Sequence, residues 1–422
     1  MGTQTEYMGP CRYRNGELYA EDVPLRKLAE RYGTPLYIYS RTYMRQQFER
    51  LTQEMAEVHP LICYSVKANS TGAVLRLFGD LGSGFDVVSG GELYRLRQAG
   101  LPADKVVFAG VGKREDEITY ALQEGILFFT VESESEANRI ACLAERTGKR
   151  ARLAFRINPG VDSKTHAYIT TGKKENKFGL DSDRARRIAE EVSARPEVEI
   201  VGLHIHIGSQ ILDTAPYGEA LRAVLPLAAE WKARYSTFRW LDIGGGLGIQ
   251  YRPNQTPMDP GRFSAEVIPL LRSTGLEIVM EPGRFLVGNA GVLLTRVTVV
   301  KESHEKTFFV TDAGMNDLIR PAFYGAHHEV LAVRETAKRR FGDLVGPICE
   351  SGDFLAKERD LPDVCEGECV ALMSAGAYGF SMASTYNSRP RVAEVMVEGD
   401  RHRLVRERES WADLIRGEHP WG

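Results

Sequence analysis

This sequence predicts a (β/α)8 TIM-like barrel joined to a second, mainly β domain, and three observations carry that prediction. Between about 60 and 284, short apolar runs alternate strictly with segments of helical periodicity. Polar residues and glycines gather where those runs end. After Arg284 the helical periodicity stops, and β-patterned runs with turn signals take over.

The apolar runs are Leu61–Val66, Phe85–Val88, Val106–Ala109, Phe128–Val131, Arg152–Ile157, Ile200–Ile207, Trp240–Ile243 and Glu277–Met280. Between them lie GELYRLRQAG, ESEANRIACLAERTG and YGEALRAVLPLAAEWKARY, with apolar residues three and four apart. Gly100, Gly125, Gly148 and Gly275 stand where such helices would close. Eight units in about 225 residues match a closed barrel in size and period. An open doubly wound sheet shares the local pattern, but eight units suit closure better, so the barrel is expected over 41–285.

Beyond it, VLLTRVTVVKE, TFFVTDAG, ECVALMSA and RVAEVMVEGD read as strands without regular helices between them, and the Arg-rich AVRETAKRRFG as a loop or hairpin. The first forty residues, ending in TPLYIYS, are too strand-like for the barrel. The expected β domain is therefore discontinuous, 1–40 with 286–422.

Composition is that of a soluble globular protein, 43% apolar and 26% charged, with a net charge of −3. That charge offers no footprint for nucleic acid or an anionic membrane, and no apolar run approaches bilayer-spanning length. The opening MGTQTEYMGP lacks the basic-then-apolar order of a secretory signal, and its Met-Gly start is only a fragment of a myristoylation pattern. Cys11, Cys63, Cys142, Cys349, Cys365 and Cys369 are scattered, so a disulfide framework is not expected. Cys365 and Cys369 lack a second Cys or His pair nearby, so no metal is expected. The cytoplasm is the expected compartment.

A barrel carries its active site at the C-terminal ends of its strands. Strand one ends in YSVKANS with Lys67, strand two in GFDVVSGGE with Asp86 and Ser89, and strand five in RINPG. Strands six, seven and eight end in HIHIGSQ, DIGGGLG and EPGR. A lysine leaving an apolar strand is partly desolvated, which lowers its pKa as a Schiff-base lysine needs. A solvated lysine opening a loop fits that position too; its companions decide. Gly244–Gly248 lets backbone N–H groups approach an anion without an intervening Cβ, and loops after strands seven and eight commonly bind phosphate. HIGS adds the His206 ring and the Ser209 hydroxyl. Glu281, in the EPGR run with Pro282, Gly283 and Arg284, would suit a protonated pyridine nitrogen; a structural Glu281–Arg284 pair is the plainer alternative. In the second domain, GPICESGDFLA holds Cys349, Glu350 and Asp353, and GAYGFSMAS holds Tyr378. A thiol among carboxylates suits proton donation better than nucleophilic attack.

In this order YSVKAN, HIGSQ, GGGLG, EPGR, CESGD and GAYGFSMAS resemble the fold-type III pyridoxal-phosphate-dependent decarboxylases, from TPLYIYS to RPRVAEVMV. THAYITTGKKENKFGL and AGMNDLIRPAFYGAHH are similar to the branch acting on diaminopimelate. The resemblance implies pyridoxal 5'-phosphate carried on Lys67, His206 stacked on its ring, and Glu281 at its pyridine nitrogen. Ser209, Gly245, Gly246 and Tyr378 would hold the phosphate, with either glycine the donor; Asp86, Pro282, Gly283 and Arg284 complete the cofactor contacts. Arg284, Arg320, Tyr324, Glu350 and Tyr378 would bind substrate. Cys349 would return a proton after carbon dioxide leaves, and it and Glu350 would come from the other subunit of a homodimer. The implied reaction converts meso-2,6-diaminopimelate to L-lysine. Competing readings are a decarboxylase for another amino acid, polyamine precursor or carrier-bound substrate, a racemase, and a non-catalytic cofactor carrier. A racemase would place an arginine where Glu281 stands, and a carrier would end near the barrel, before Cys349 and Tyr378.

Overall fold

A computed structural model describes residues 8–161 and 178–421. The MGTQTE opening and all of THAYITTGKKENKFGL before Phe178 lie outside the described residues. The chain divides into two compact units, Gln47–Gly248 with Pro257–Phe285, and Met1–Gln46 with Ile249–Thr256 and Leu286–Gly422.

The first unit is a closed barrel of eight parallel strands: Leu61–Ser65, Gly84–Val87, Val106–Phe108, Phe128–Val131, Ala151–Arg156, Val198–His204, Trp240–Asp242 and Glu277–Met280. The last strand closes on the first, with Val279 opposite Leu61. Strands covered on both faces read as continuous apolar runs, which is why each stood out in the sequence. Cys63, Val107, Phe128, Ala154, Val201 and Val279, from six different strands, pack in one buried cluster, so the barrel is filled rather than hollow. The helices show the expected periodicity. In Glu134–Thr147, Ala137, Ile140, Ala141 and Ala144 are buried, Ser133 accepts the Glu136 N–H as N-cap, and Gly148 ends the helix at φ 63°.

Strand six ends sooner than its apolar run. Ladder pairing stops at His204, opposite Asp242, and the Ile205 N–H makes a last bond to the Asp242 carbonyl. The strand end therefore presents His204 as well as His206.

In the second unit Leu36–Ser40 lies between Gly291–Glu302, to which it is antiparallel, and Ala393–Glu398, to which it is parallel. Residues near both ends of the chain thus share one mixed sheet. Ahead of them comes a three-stranded antiparallel sheet, Cys11–Arg14, Glu17–Ala20 and Val23–Pro24. The eight-residue helix Leu25–Tyr32 follows, its Leu25, Leu28 and Ala29 buried at helical spacing within an otherwise strand-like stretch. This unit reaches Gln46 and takes in Ile249–Thr256, beyond the expected boundaries. The inserted segment is held there by Asn289 Nδ2 donating to the Gln250 carbonyl at 2.9 Å and by Tyr251 packed edge-on to His328. The Arg-rich segment leaves the strand Val330–Ala332 at its first residue and re-enters a strand at Arg339, in a hairpin of Arg339–Val345 with Phe354–Pro362. Among the described residues no helix is long and apolar enough to cross a membrane.

Candidate active site

Lys67 sits in a single 3-10 turn, Val66–Ala68, directly after strand one. Its Nζ is ion-paired with Asp86, which is fully buried at the end of strand two. Parallel register makes the pair: Ser65 lies opposite Asp86, so Lys67 need only reach across one strand. Ser65 Oγ lies 2.7 Å from the same Asp86 oxygen and 3.0 Å from the Glu281 carbonyl. The partial desolvation expected of Lys67 meets an opposing influence: its side chain is 34% exposed beside a carboxylate, whose charge favours the ammonium. Burial, then the charge of Glu281, pushes the Asp86 carboxyl up, with Lys67 opposing.

Glu281 and Arg284 have separate partners. Glu281 Oε2 accepts from His204 Nε2 at 3.1 Å, both side chains buried, whereas Arg284 Nη2 donates to Ser209 Oγ at 3.1 Å. Burial raises the Glu281 carboxyl, but the charge and hydrogen bond of His204, followed by Lys67, bring it below the ordinary carboxylate range. Asp242 moves the other way: burial, then the charge of Glu281, drives it well above that range. Glu281 Oε1 is buried and has no hydrogen-bond partner among the described residues.

The loops after strands six and seven are zipped together. Ile211 N donates to the Gly246 carbonyl and Gly248 N to the Ile211 carbonyl, and Tyr217 OH donates to the Gly245 carbonyl at 3.0 Å. Glycine is required here. A Cβ on Gly245 would stand 2.0 Å from the Glu281 carbonyl, and one on Gly246, at φ 95°, would stand 2.3 Å from the Gly208 carbonyl. Gly283 is as tight, a Cβ there meeting Ser65 Cβ at 2.9 Å and Ala68 Cβ at 3.0 Å, which sets the backbone after Pro282 against the turn that carries Lys67. The Gly245 N–H points to His206 Nδ1 at 3.4 Å. Burial first, then the positive charge of Arg156, pushes the His206 imidazole down to about 3, so the ring is neutral at physiological pH and its Nδ1 accepts.

An uncharged ring, a glycine cradle beside a serine hydroxyl, an amine at strand one and a buried carboxylate oxygen lacking a donor fit pyridoxal 5'-phosphate.

The remaining expected residues lie in the second unit. Arg320 opens the short helix Arg320–Tyr324 and is buried, its guanidinium 4.9 Å from the Tyr251 ring centroid. Arg320 Nη1 lies 2.9 Å from His328 Nε2. His328 Nδ1 faces the Met373 carbonyl at 2.8 Å, which assigns that nitrogen the proton and leaves Nε2 to accept. Tyr324 packs edge-on to Phe323. Cys349 and Glu350 are exposed on the turn between the two hairpin strands, with the Cys349 N–H donating to Asn387 Oδ1 at 2.7 Å. Asp353 does not neighbour the thiol as a free carboxylate; it accepts the Met315 and Ile348 N–H groups and shapes the turn. Tyr378 has φ 56°, a left-handed conformation uncommon outside glycine and enriched at functional sites.

Residues 41–288 match the family model described as the pyridoxal binding domain of pyridoxal-dependent decarboxylases. The diaminopimelate decarboxylase of Aquifex aeolicus is 47% identical over 412 residues, 97% of each chain. The chain belongs to the diaminopimelate decarboxylases. Structures agree: the Helicobacter pylori enzyme complexed with L-lysine superposes with a TM-score of 0.89 at 40% identity, covering 93% of this chain and 98% of that one. The M. jannaschii enzyme in co-complex with L-lysine reaches 0.93 at 35% identity, covering 99% of both.

Sequence reasoning about this decarboxylase missed His204, Asp242, Ser65, Tyr251 and His328. His204 and Asp242 carried a usable signal, standing in HIHIGSQ and DIGGGLG as polar residues within strands that are otherwise apolar. Ser65 and His328 stand inside YSVKAN and AGMNDLIRPAFYGAHH, but nothing local marked them out from their neighbours. Tyr251 lies in no such motif, and its relation to Arg320, like that of His328, exists only after folding.

Proposed function

We propose that this chain decarboxylates meso-2,6-diaminopimelate to L-lysine and carbon dioxide, the last step of lysine biosynthesis, with pyridoxal 5'-phosphate as its cofactor, in the cytoplasm and as a homodimer with shared sites. The observation that carries the reading is the likeness, over 93% of this chain, to an enzyme crystallised with L-lysine, the product of that reaction.

When bound, the cofactor supplies an electron sink for the pair left by the broken Cα–carboxylate bond. The chain's residues do the rest. Lys67 would anchor the cofactor, the neutral His206 ring would lie against its ring, and Glu281, whose Oε1 is buried without a donor among the described residues, would serve its ring nitrogen. Ser209 and Tyr378 would hold the phosphate together with the glycine loop, and Arg284, hydrogen-bonded to Ser209, would add a further cofactor contact. Of the two candidate glycines Gly246 is the better donor, because the Gly245 N–H already points to His206. Asp86 holds the Lys67 ammonium, and Pro282 and Gly283 fix the backbone between Glu281 and Arg284. Arg284, Arg320, Tyr324, Glu350 and Tyr378 receive the substrate; the cationic arginines suit its carboxylates and Glu350 its distal ammonium. Cys349 Sγ gives a proton to Cα. Exposure of Cys349 and Glu350 on their turn supports their use by a neighbouring subunit.

Release of lysine and carbon dioxide from meso-diaminopimelate, against ornithine, arginine and carboxynorspermidine, tests the substrate; preference for any of the latter overturns it. The protein supplied with cofactor should show a visible band that borohydride bleaches, and a colourless protein would refute the cofactor reading. Mixing inactive Lys67→Ala and Cys349→Ala subunits should restore activity to about a quarter of the parent, as random pairing in a two-fold dimer requires. No recovery on mixing overturns the shared site.

A further inference from the structure

His204, Asp242 and Glu281 each offer one atom to a cluster in which all three atoms lie within 4.8 Å of one another. All three side chains are buried. Strand register assembles it: His204 and Asp242 are directly opposed on strands six and seven, and Glu281 follows strand eight. Asp242 Oδ1 accepts the Gly244 N–H at 2.8 Å, which fixes that carboxyl in the floor of the glycine loop. Its Oδ2 has no donor among the described residues, yet Asp242 and Glu281 are within hydrogen-bonding reach of each other.

Two buried carboxyls in contact cannot both be anions; one keeps a proton and donates it to the other. The His204 N–H toward Glu281 decides which. With His204 supporting the Glu281 anion, the proton stays on Asp242 Oδ2. We propose that His204 and Asp242 are positioning residues for the cofactor's ring nitrogen, clamping the Glu281 carboxylate so that Oε1 presents a fixed negative charge to it. A carboxylate held as an anion in this way is a poor acceptor of the ring proton, so the proton remains on the nitrogen, where it makes the ring an effective electron sink. The opposite shifts of the two acids agree, Asp242 upward from burial and the Glu281 charge, Glu281 downward despite burial because of His204. This inference rests on Glu281 facing the ring nitrogen.

Full-length protein loaded with pyridoxal phosphate isotope-labelled at the ring nitrogen gives two readings that a merely structural role would not move together. They are the nitrogen chemical shift, which reports its protonation, and the cofactor dissociation constant from visible absorbance. His204→Leu moves the shift to the unprotonated value and weakens cofactor binding about tenfold, the scale on which hydrogen-bonded partners behind a liganding group act. His204→Gln, which keeps an N–H toward Glu281, recovers part of that loss. Asp242→Asn keeps both the donor and the acceptor for Gly244 and leaves both readings at parent values. A folded His204→Leu protein with a protonated nitrogen and parent affinity overturns the proposal. So does loss of the protonated signal in Asp242→Asn, a test that stands even where His204→Leu does not fold. Glu281→Gln separates the two ideas: if its nitrogen stays protonated, the reading of Glu281 itself fails, and if it does not while His204→Leu behaves as the parent, only the clamp fails.

Discussion

The Lys67 ammonium is held by Asp86, a carboxylate on the adjacent barrel strand that is wholly buried and reachable only because Ser65 and Asp86 share register. The pair joins the amine expected to carry the cofactor to the barrel interior. It also explains why Ser65, two residues before Lys67 in the YSVKAN motif, is turned inward.

Removing Asp86 leaves a partly buried ammonium without its carboxylate. Asp86→Ala should lower the unfolding free energy of the cofactor-free protein by about 1–3 kcal/mol, less than for a fully buried pair because Lys67 is partly solvated. Urea unfolding measures it, and an unchanged midpoint would show the pair to be energetically idle.

The glycine cradle is under steric as well as conformational constraint. Gly246→Ala should cost about 1–3 kcal/mol from the left-handed backbone and, through the Gly208 carbonyl it would strike, also weaken cofactor binding. Gly82→Ala is the control, with φ 84° and open space around a Cβ. It should lose stability but keep parent cofactor affinity. Equal cofactor affinity in both variants would argue against the cradle.

Arg320 is fixed by Tyr251 and by the neutral Nε2 of His328. Lysine cannot reproduce that planar fork. Arg320→Lys should therefore raise KM for diaminopimelate by about 10–100-fold, the loss of one charge-assisted bond, with a smaller change in kcat. Steady-state kinetics decide, and an unaltered KM would remove Arg320 from the substrate site.

Asp317 is a pH-sensitive point in the second unit. Burial first, and the charge of Asp312, push its carboxyl from 3.8 up to about 7 against the Gly314 N–H that accompanies it. The folded state binds this proton more tightly than the unfolded chain. Its contribution is therefore complete below about pH 4 and is lost as pH rises toward about 7, by a few kcal/mol at most. Asp317→Asn cannot ionise, so its melting temperature should gain on the parent steadily between about pH 4 and 8. A difference that stays constant with pH would contradict the assignment.

Much of this protein was legible in its residues. Eight apolar runs became eight barrel strands because strands buried on both faces must be continuously apolar, and the polar residues ending those runs had one rim to occupy. Motif order was enough for the family, since Lys67, Ser209, Gly246 and Glu281 each stand in a local pattern that survives without coordinates. Partnership was not legible. Arg284 bonds Ser209 rather than Glu281, and Glu281 bonds His204, because parallel register and loop contacts, set by packing across the whole barrel, bring residues together that are 75 and 77 positions apart. The same holds for Ile249–Thr256, read as barrel by its place in the chain and claimed by the other unit through Asn289 and His328. Sequence by itself determined which side chains are available and in what order. Only the tertiary structure decided which of them share a proton, because that depends on distances of a few ångströms in a buried, weakly screening interior.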